Sequence, residues 1–518
     1  MPSHSQLELQ FKPLPVVLGV TLLMVSCLVY QTARAYLFSP VRHVPGPFWS
    51  KVTPFPLYIA TFRTRRAAYA HSLIKKYGPI VIIAPDQIHT TNDAAMKIIY
   101  DRSSIKSSFY HAMGSYKGVR QILGTIDYSS AAVGRRNLLQ CFQSQNLASL
   151  ADAMESHIAS FLKLLHSKSN QVDPVIDGVL WFRLLTLDTV TDILWGQDHD
   201  LLADMDMDNT KSELLRKLHH FSQYMALEGF IPFFEAWTRL VGSQKYKQMR
   251  DDCYSLDGFA RDALETWNDR ETKGHEKDVL SMLLTMKSKQ EESESIAREN
   301  IPAYIIEMMA AGSSTTSNTA AIACWVLARH QAVQTKLQQE LFTAFPDPGQ
   351  IDMRQCLNLN YLDSVIFEVM RLWPIVPGPL ERHVGQSLTV NGMAIPAGTL
   401  ASCAAYDQGR REDIFSNANT FDPSRWLKAD AAMKKNWIPF GYGSRSCPGQ
   451  NLGMTELKYF LAAIFRYFSS VVPQGRAEDI LELRDVFTAS IWITSGITGK
   501  PENKCWLQFS PIAEKVIS

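Results

Sequence analysis

No part of this 518-residue sequence carries a strong excess of charge: 52 Lys and Arg stand against 51 Asp and Glu, for a formal net charge of +1. The broad basic field that would hold a nucleic acid is therefore missing. Its eight cysteines, at positions 27, 141, 253, 324, 356, 403, 447 and 505, are scattered singly with no CxxC among them. That argues against a disulfide framework and a clustered zinc site, and it fits a reducing compartment. Internal repeats, long low-complexity tracts and any flavin or nicotinamide fingerprint are also lacking. Apolar residues are plentiful: 46% of the chain is hydrophobic and 20% charged, enough for a large buried core. The length allows one large domain or two to three average ones.

Residues 14–30, LPVVLGVTLLMVSCLVY, contain no charge. The run is at the short end for a membrane span, and Ala33, Ala35, Tyr36, Leu37 and Phe38 extend it. A cleaved signal peptide and a buried core helix are the competing readings, and Thr32-Ala33-Arg34-Ala35 is a weak cleavage signal. The expectation is a retained single-pass anchor over residues 14–36, behind a short lumenal N-terminus at residues 1–13. Arg34, Arg42, Lys51, Arg63, Arg65 and Arg66 follow the span and only Lys12 precedes it, which puts the C-terminal side in the cytosol. Pro45-Gly46-Pro47 cannot continue a helix and makes residues 37–50 a stiff hinge.

Beyond the hinge, residues 104–130 are rich in Ser, Gly and Tyr and read as a long loop. Residues 133–142 read as a helix carrying Arg135 and Arg136. Residues 219–240 are aromatic, interrupted by Gly229 and Pro232, and suit core, a pocket roof or a second membrane contact. The charged run 287–299 reads as a solvated loop. Residues 301–342 form the longest helical pattern. In its middle, residues 311–316 read AGSSTT, where glycine entropy and competing hydroxyls predict a widened turn able to hold a small polar ligand. In the helix over residues 362–373, Glu368 and Arg371 stand at i, i+3 on one face. FDPSRW follows at residues 421–426, and its Arg425 can close a Glu–Arg–Arg cluster.

Residues 440–449 read FGYGSRSCPG. Gly441, Gly443, Pro448 and Gly449 exclude regular helix or strand, so Cys447 sits on a loop. Apolar residues at 452, 457, 460, 461 and 464 make the next segment a helix. Its N-terminus favours a thiolate at Cys447, a ligand for a soft metal. Arg445 adds a permanent cation with a fork suited to carboxylates. Thiolate plus carboxylate-binding arginine is what a haem iron with propionates requires. A chance match to F-x-x-G-x-R-x-C-x-G arises in roughly one chain of this length in 10,000, so the pattern outweighs an ordinary buried cysteine.

On Phe440, Gly443, Arg445, Cys447 and Gly449, the stretch resembles the haem-binding loop of cytochromes P-450. The anchor and hinge, the 311–316 segment, E-x-x-R and F-x-P-x-R-W fall in that family's order, and the run KKYGPIVIIAP resembles its fungal members. The resemblance implies a mainly α fold with small β-sheets (α+β), one large catalytic domain at 51–518 behind the anchor. It implies heme b with an axial Cys447 thiolate. Phe440, Gly443, Arg445 and Gly449 would form the haem loop, and Arg136 and Arg382 would reach its propionates. Gly312, Ser314 and Thr315 would form an oxygen groove, with Thr315 relaying protons, and Glu368, Arg371 and Arg425 would be structural. Residues 104–130 would cap the substrate pocket, Val376 to Leu380 would line it, and Thr488 to Trp492 would close it. The reaction implied is oxidation by O2 of a small, largely apolar molecule, in fungal secondary metabolism. Electrons would come from NADPH through NADPH–cytochrome P-450 reductase, with cytochrome b5 as a further donor, at the endoplasmic reticulum membrane.

The sequence departs from the family pattern twice. Ala132 stands where a Trp or His usually precedes the propionate arginine, and Ser314 stands where an acid usually precedes Thr315. Ser314 through water, or Glu307 upstream, would then serve the relay. The second departure keeps open a haem-thiolate enzyme that isomerises, dehydrates, desaturates or closes a ring without net oxygen insertion. A non-catalytic haem sensor or carrier is the third reading.

Overall fold

The computed structural model describes residues 13–512, apart from 148–149, 198, 203–208, 272–277, 288–297, 348–350 and 497. Most of the expected N-terminal segment 1–13 and of the charged run 287–299 lies outside the described residues. The helices that position the site are α1 (Pro13–Ala33), α2 (Tyr128–Cys141), α3 (Gly178–Trp195), α4 (Asn209–Phe230), α5 (Phe234–Leu240), α6 (Ile301–Arg329), α7 (Gln331–Ala344), α8 (Asn360–Leu372) and α9 (Gln450–Tyr467).

Helix α6 is central because its sequence leaves it no solvent face. Every residue from 316 to 328 is buried, and from 320 to 328 the helix is apolar on all sides and has to sit inside a core. Helix α3, buried without a break from 184 to 191, packs along it, and α8 and α9 pack on it as well. The pattern expected to run from 301 to 342 as one helix is two. The break is at His330, whose N–H donates to the Val326 carbonyl at 3.0 Å while its Nδ1 lies 2.9 Å from the same oxygen. The backbone then turns into α7, which packs on α9.

The weak turn expected at 311–316 does not form either, and α6 is continuous there. The Ser313, Ser314 and Thr315 hydroxyls donate to the carbonyls of Met309, Ala310 and Ala311 at 2.8, 2.9 and 2.8 Å. Each hydroxyl thus bonds one turn back, which satisfies it without opening the helix.

The sheets are small and lie beside the helical body. In one, the strands run in the order Ile80–Ala84, Gln87–Thr90, Leu400–Ser402, Arg382–His383, Ile105–Lys106. Only Gln87–Thr90 and Leu400–Ser402 pair in parallel. Leu388–Val390 and Met393–Ile395 form a hairpin, turned by Asn391 and Gly392 at φ 49° and 78°. Residues 104–130 are more ordered than a loop: they contain the strand Ile105–Lys106, the helix Ser108–Met113 and a two-stranded ribbon. The aromatic stretch 219–240 divides. Tyr224 to Leu227 and Phe234 are core, whereas Phe233 and Leu240, with the adjoining Val241, are 87%, 80% and 70% exposed. Helix α1 continues through one π-helical turn, Arg34–Phe38, and the window Thr21–Phe38 is long and apolar enough to cross a membrane.

Candidate active site

Between α6 and the loop at 440–449 lies a cavity of about 380 Å³ with mainly apolar walls. The loop is held in shape by its own backbone. The Cys447 N–H donates to Phe440 O at 2.8 Å and the Ser446 N–H to Gly443 O at 3.2 Å. Gly443 has φ +71°, and a Cβ there would stand 2.4 Å from the Tyr100 carbonyl oxygen, so only glycine fits. Gly449 caps α9, whose residues at 452, 457, 460, 461 and 464 are buried as their spacing predicts. The Cys447 side chain is enclosed by protein yet accessible, because it faces the cavity. Burial pushes its thiol up, while the Gly449 N–H and the Arg135 cation pull it down. A cation or metal at the sulfur would tip that balance toward thiolate.

Gly312, Ser314 and Thr315 of α6, Phe440, Arg445 and Gly449 of the loop, and Arg382, Val376, Leu380 and Thr488 line the same cavity. Gly443 supports the loop from outside the lining. Arg136 does not meet its expectation: it is exposed, and its neighbour Arg135 lines the cavity instead. One residue along a helix rotates the side chain by about 100°, and α2 turns Arg135 inward to donate to the Ser446 carbonyl and, at 3.1 Å, to Ser446 Oγ.

Two residues absent from the sequence reading also face this space. Lys106 is buried, donates to Leu123 O at 2.7 Å, and sits close enough to Arg382, Arg445 and Arg135 that they depress its pKa, after burial, while Glu307 raises it. The position could have been found only from pairing, since Lys106 lies opposite Arg382 on adjacent strands. Glu456, nine residues past the cysteine, accepts from Thr316 Oγ1 at 3.0 Å, and burial pushes its carboxyl up to about 8. Glu307, by contrast, is tied by the Ile122 and Leu123 N–H groups at 3.1 and 2.8 Å, and burial raises its pKa.

Lys106, Arg135, Arg382 and Arg445 thus converge on one end of an apolar space. Among the described residues none of the four makes an ion pair with a protein carboxylate, and their bonds go to carbonyl and hydroxyl oxygens. Two buried cations, Lys106 and Arg382, and two half-buried ones, Arg135 and Arg445, in such a setting require anions from a ligand. A flat apolar group carrying two carboxylates, with a metal at Cys447, fits this donor set, and heme b is such a group.

Behind the loop, Glu368 is fully buried and accepts five hydrogen bonds. They come from Arg371 Nε at 2.8 Å and Nη2 at 2.7 Å, Arg425 Nε at 3.0 Å, Trp426 Nε1 at 2.8 Å and the Asp422 N–H at 2.9 Å. Arg371 also donates to the carbonyls of Gly409, Ala418 and Thr420. The structure brings Glu368, Arg371 and Arg425 together and adds Trp426.

A family model described as Cytochrome P450 matches residues 46–491. Among characterised proteins, the chain is 26% identical over 510 residues to benzoate 4-monooxygenase bphA of Aspergillus niger, covering 93% of this chain and 96% of that protein. It is 28% identical to cytochrome P450 monooxygenase tazI of Aspergillus terreus, over 87% of this chain and 91% of the relative. It is 25% identical to averantin hydroxylase of Dothistroma septosporum, over 87% and 84%.

Proposed function

Because the chain belongs to the cytochrome P450 family, we propose that this haem-thiolate oxidoreductase hydroxylates a small, largely apolar molecule of fungal secondary metabolism. The observation that carries the reading is the Cys447 thiol facing an apolar cavity across from Thr315. The haem, when bound, supplies activation of dioxygen. The chain's own residues do the rest. Cys447 would hold the iron, and Arg135, Arg382, Arg445 and Lys106 would hold the carboxylates. Val376, Leu380 and Thr488 press the substrate against the reacting face, and the apolar walls exclude bulk water. Thr315 and Ser314 hold and pass protons at their Oγ atoms, each rotating away from the carbonyl it bonds one turn back. Glu368, Arg371 and Arg425 fix the segment that leads into the loop.

Electrons come from NADPH through a partner reductase, with cytochrome b5 as a second donor. We place the division of the chain as anchor at 14–36, hinge at 37–50 and catalytic domain at 51–518, with the domain on the cytosolic face of the endoplasmic reticulum. Exposed Phe233, Leu240 and Val241, with Phe48, Trp49 and Phe55 near the anchor, give the domain an apolar seat on that membrane.

The test is a pair of measurements on the membrane-bound enzyme with reductase. Cys447→Ser should abolish the thiolate-type spectrum of the reduced carbon monoxide complex, and an intact band in that variant would remove the ligand assignment. A product heavier than its precursor by one oxygen supports hydroxylation. A loss of two hydrogens, or an isomer of equal mass, supports the second reading, which Ser314 in place of an acid favours.

A further inference from the structure

On the far side of Ser314 from the haem-side cavity lies a second, much smaller chamber of about 20 Å³, room for one water-sized occupant. Ser314, Phe487, Thr488 and Ser222 belong to the walls of both spaces, so one layer of side chains separates them. The chamber is polar, and its charge is one-sided. Arg183 of α3 lines it, half-buried as a residue, with its Nε fully buried. Its Nε has no hydrogen-bond partner, and among the described residues no carboxylate pairs with its guanidinium. Burial alone lowers its pKa, to about 10, so it remains a cation at neutral pH.

The other groups facing it cannot neutralise it. His219, lowered to about 3 by burial and then by Arg183, is uncharged, and its Nε2 lies 3.0 Å from Gln223 Nε2. Asn318 spends its Nδ2 on the Ala489 carbonyl at 3.3 Å and leaves Oδ1 unpartnered. Ser314, standing where the resemblance leads one to expect an acid, brings only a hydroxyl. A guanidinium held away from bulk water with no anion is unfavourable unless a ligand supplies the charge.

We propose that Arg183 is a receptor for an anionic oxygen group, a carboxylate, borne by the substrate. The body of the substrate lies in the haem-side cavity, and one oxygen of its carboxylate, the water-sized part that the chamber holds, reaches past Ser314 and Phe487 toward Arg183. This deepens the proposed function and rests on its reading of the main cavity as the substrate site. A small free anion offers Arg183 the same chemistry, so the test separates the two sources.

The ferric holoenzyme is compared with Arg183→Gln and with Ser314→Asp, which supplies the missing anion from α6. Melting is followed in sodium formate against sodium fluoride of equal ionic strength, with the Soret band monitored so that binding at iron is recognised. Formate should raise the wild-type melting temperature by several degrees with the Soret band unchanged, and should leave both variants unmoved. No formate effect in the wild type, or an equal effect in Arg183→Gln, overturns the proposal. Ser314→Asp covers the case in which Arg183→Gln fails to fold. Spectral titration with 2-naphthoate and methyl 2-naphthoate then identifies the source. Substrate-borne recognition gives at least tenfold tighter binding of the acid in the wild type and no preference in Ser314→Asp. Equal binding of acid and ester, or binding of neither alongside a formate effect, leaves a free-anion site and overturns the substrate claim. A retained carbon monoxide spectrum in every variant shows that the haem-thiolate reading stands whichever way these titrations fall.

Discussion

Arg371 and Arg183 are both interior arginines on helices, yet their surroundings are opposite. Arg371 has a fully buried carboxylate beside it and three backbone carbonyls around it, and Glu368 in turn is saturated by five donors. Arg183 has no carboxylate, an unpartnered Nε and a small polar chamber next to it. Glu456 stands between them, a buried carboxyl with one hydroxyl partner and one orphan oxygen. A charge that serves the fold is closed by protein atoms, because any gap in its pairing is a permanent cost. A charge left open toward a cavity is stable only with help from something that comes and goes. Pairing therefore separates structural ions from ligand-binding ones here better than burial does.

The largest effect that would test the comparison is at Glu368. Glu368→Gln leaves Arg371 and Arg425 buried without their anion, and losing one member of such a cluster costs about 3–5 kcal/mol. Denaturant unfolding of the holoenzyme should show that loss together with a lower haem content. A variant within about 1 kcal/mol of wild type would mean that the carbonyls of Gly409, Ala418 and Thr420 suffice, and the cluster would no longer define the closed case.

Much of that cluster was legible in the sequence, because its parts lie on short motifs whose spacing restricts them: Glu368 and Arg371 on one helix face, Arg425 two residues after a proline, Cys447 among glycines. Trp426 was within the motif but its indole N–H was not assigned a role. What escaped was decided by packing. Arg135 and Arg136 differ by one step of helix rotation, and the sequence of α2 did not show which face met the loop. Lys106 reaches the site only because a two-residue strand pairs with Arg382–His383, far along the chain. Arg183 lies on a helix that is apolar almost all round, and what it faces is set by how α3 crosses α6. The break at His330 and the unbroken helix at 311–316 share a cause: side-chain bonds to carbonyls one turn back, which end α6 in one place and leave it regular in the other.

Glu456 supplies the second, intermediate effect. Its carboxyl is moved from an ordinary value of 4.5 up to about 8, chiefly by burial, with the Thr316 hydroxyl opposing. The folded state therefore prefers the protonated form. The stability associated with that form is complete below pH 4.5 and is lost as pH rises toward 8. At about 1.4 kcal/mol per pK unit the whole shift is a few kcal/mol. Glu456→Gln, which keeps a neutral polar group of the same shape, should match wild type near pH 5 and exceed it in unfolding free energy at pH 8. A difference that is flat across this range would show that the carboxyl is ionised in the fold and compensated, placing Glu456 with Glu368.

The smallest effect is also the one whose sign matters most. Replacing Arg371 with Met should destabilise, since it strips a saturated carboxylate of its main partner. Replacing Arg183 with Met should do the reverse, because it removes a buried cation that nothing in the protein pairs and substitutes an apolar chain of comparable length in a space walled partly by Phe487 and Val486. Relief of one unpaired polar group is worth about 1–3 kcal/mol. The gain should appear as a higher urea midpoint with unchanged slope, which identifies an effect on the native state's stability and not on the compactness of the unfolded chain. Adding formate tests the same balance from the other side. It should narrow the gap between Arg183→Met and wild type, because the anion stabilises only the protein that keeps the guanidinium. If Arg183→Met instead lowers the midpoint in the absence of any added anion, the charge of Arg183 is already compensated within the fold, and the two arginines belong to one class.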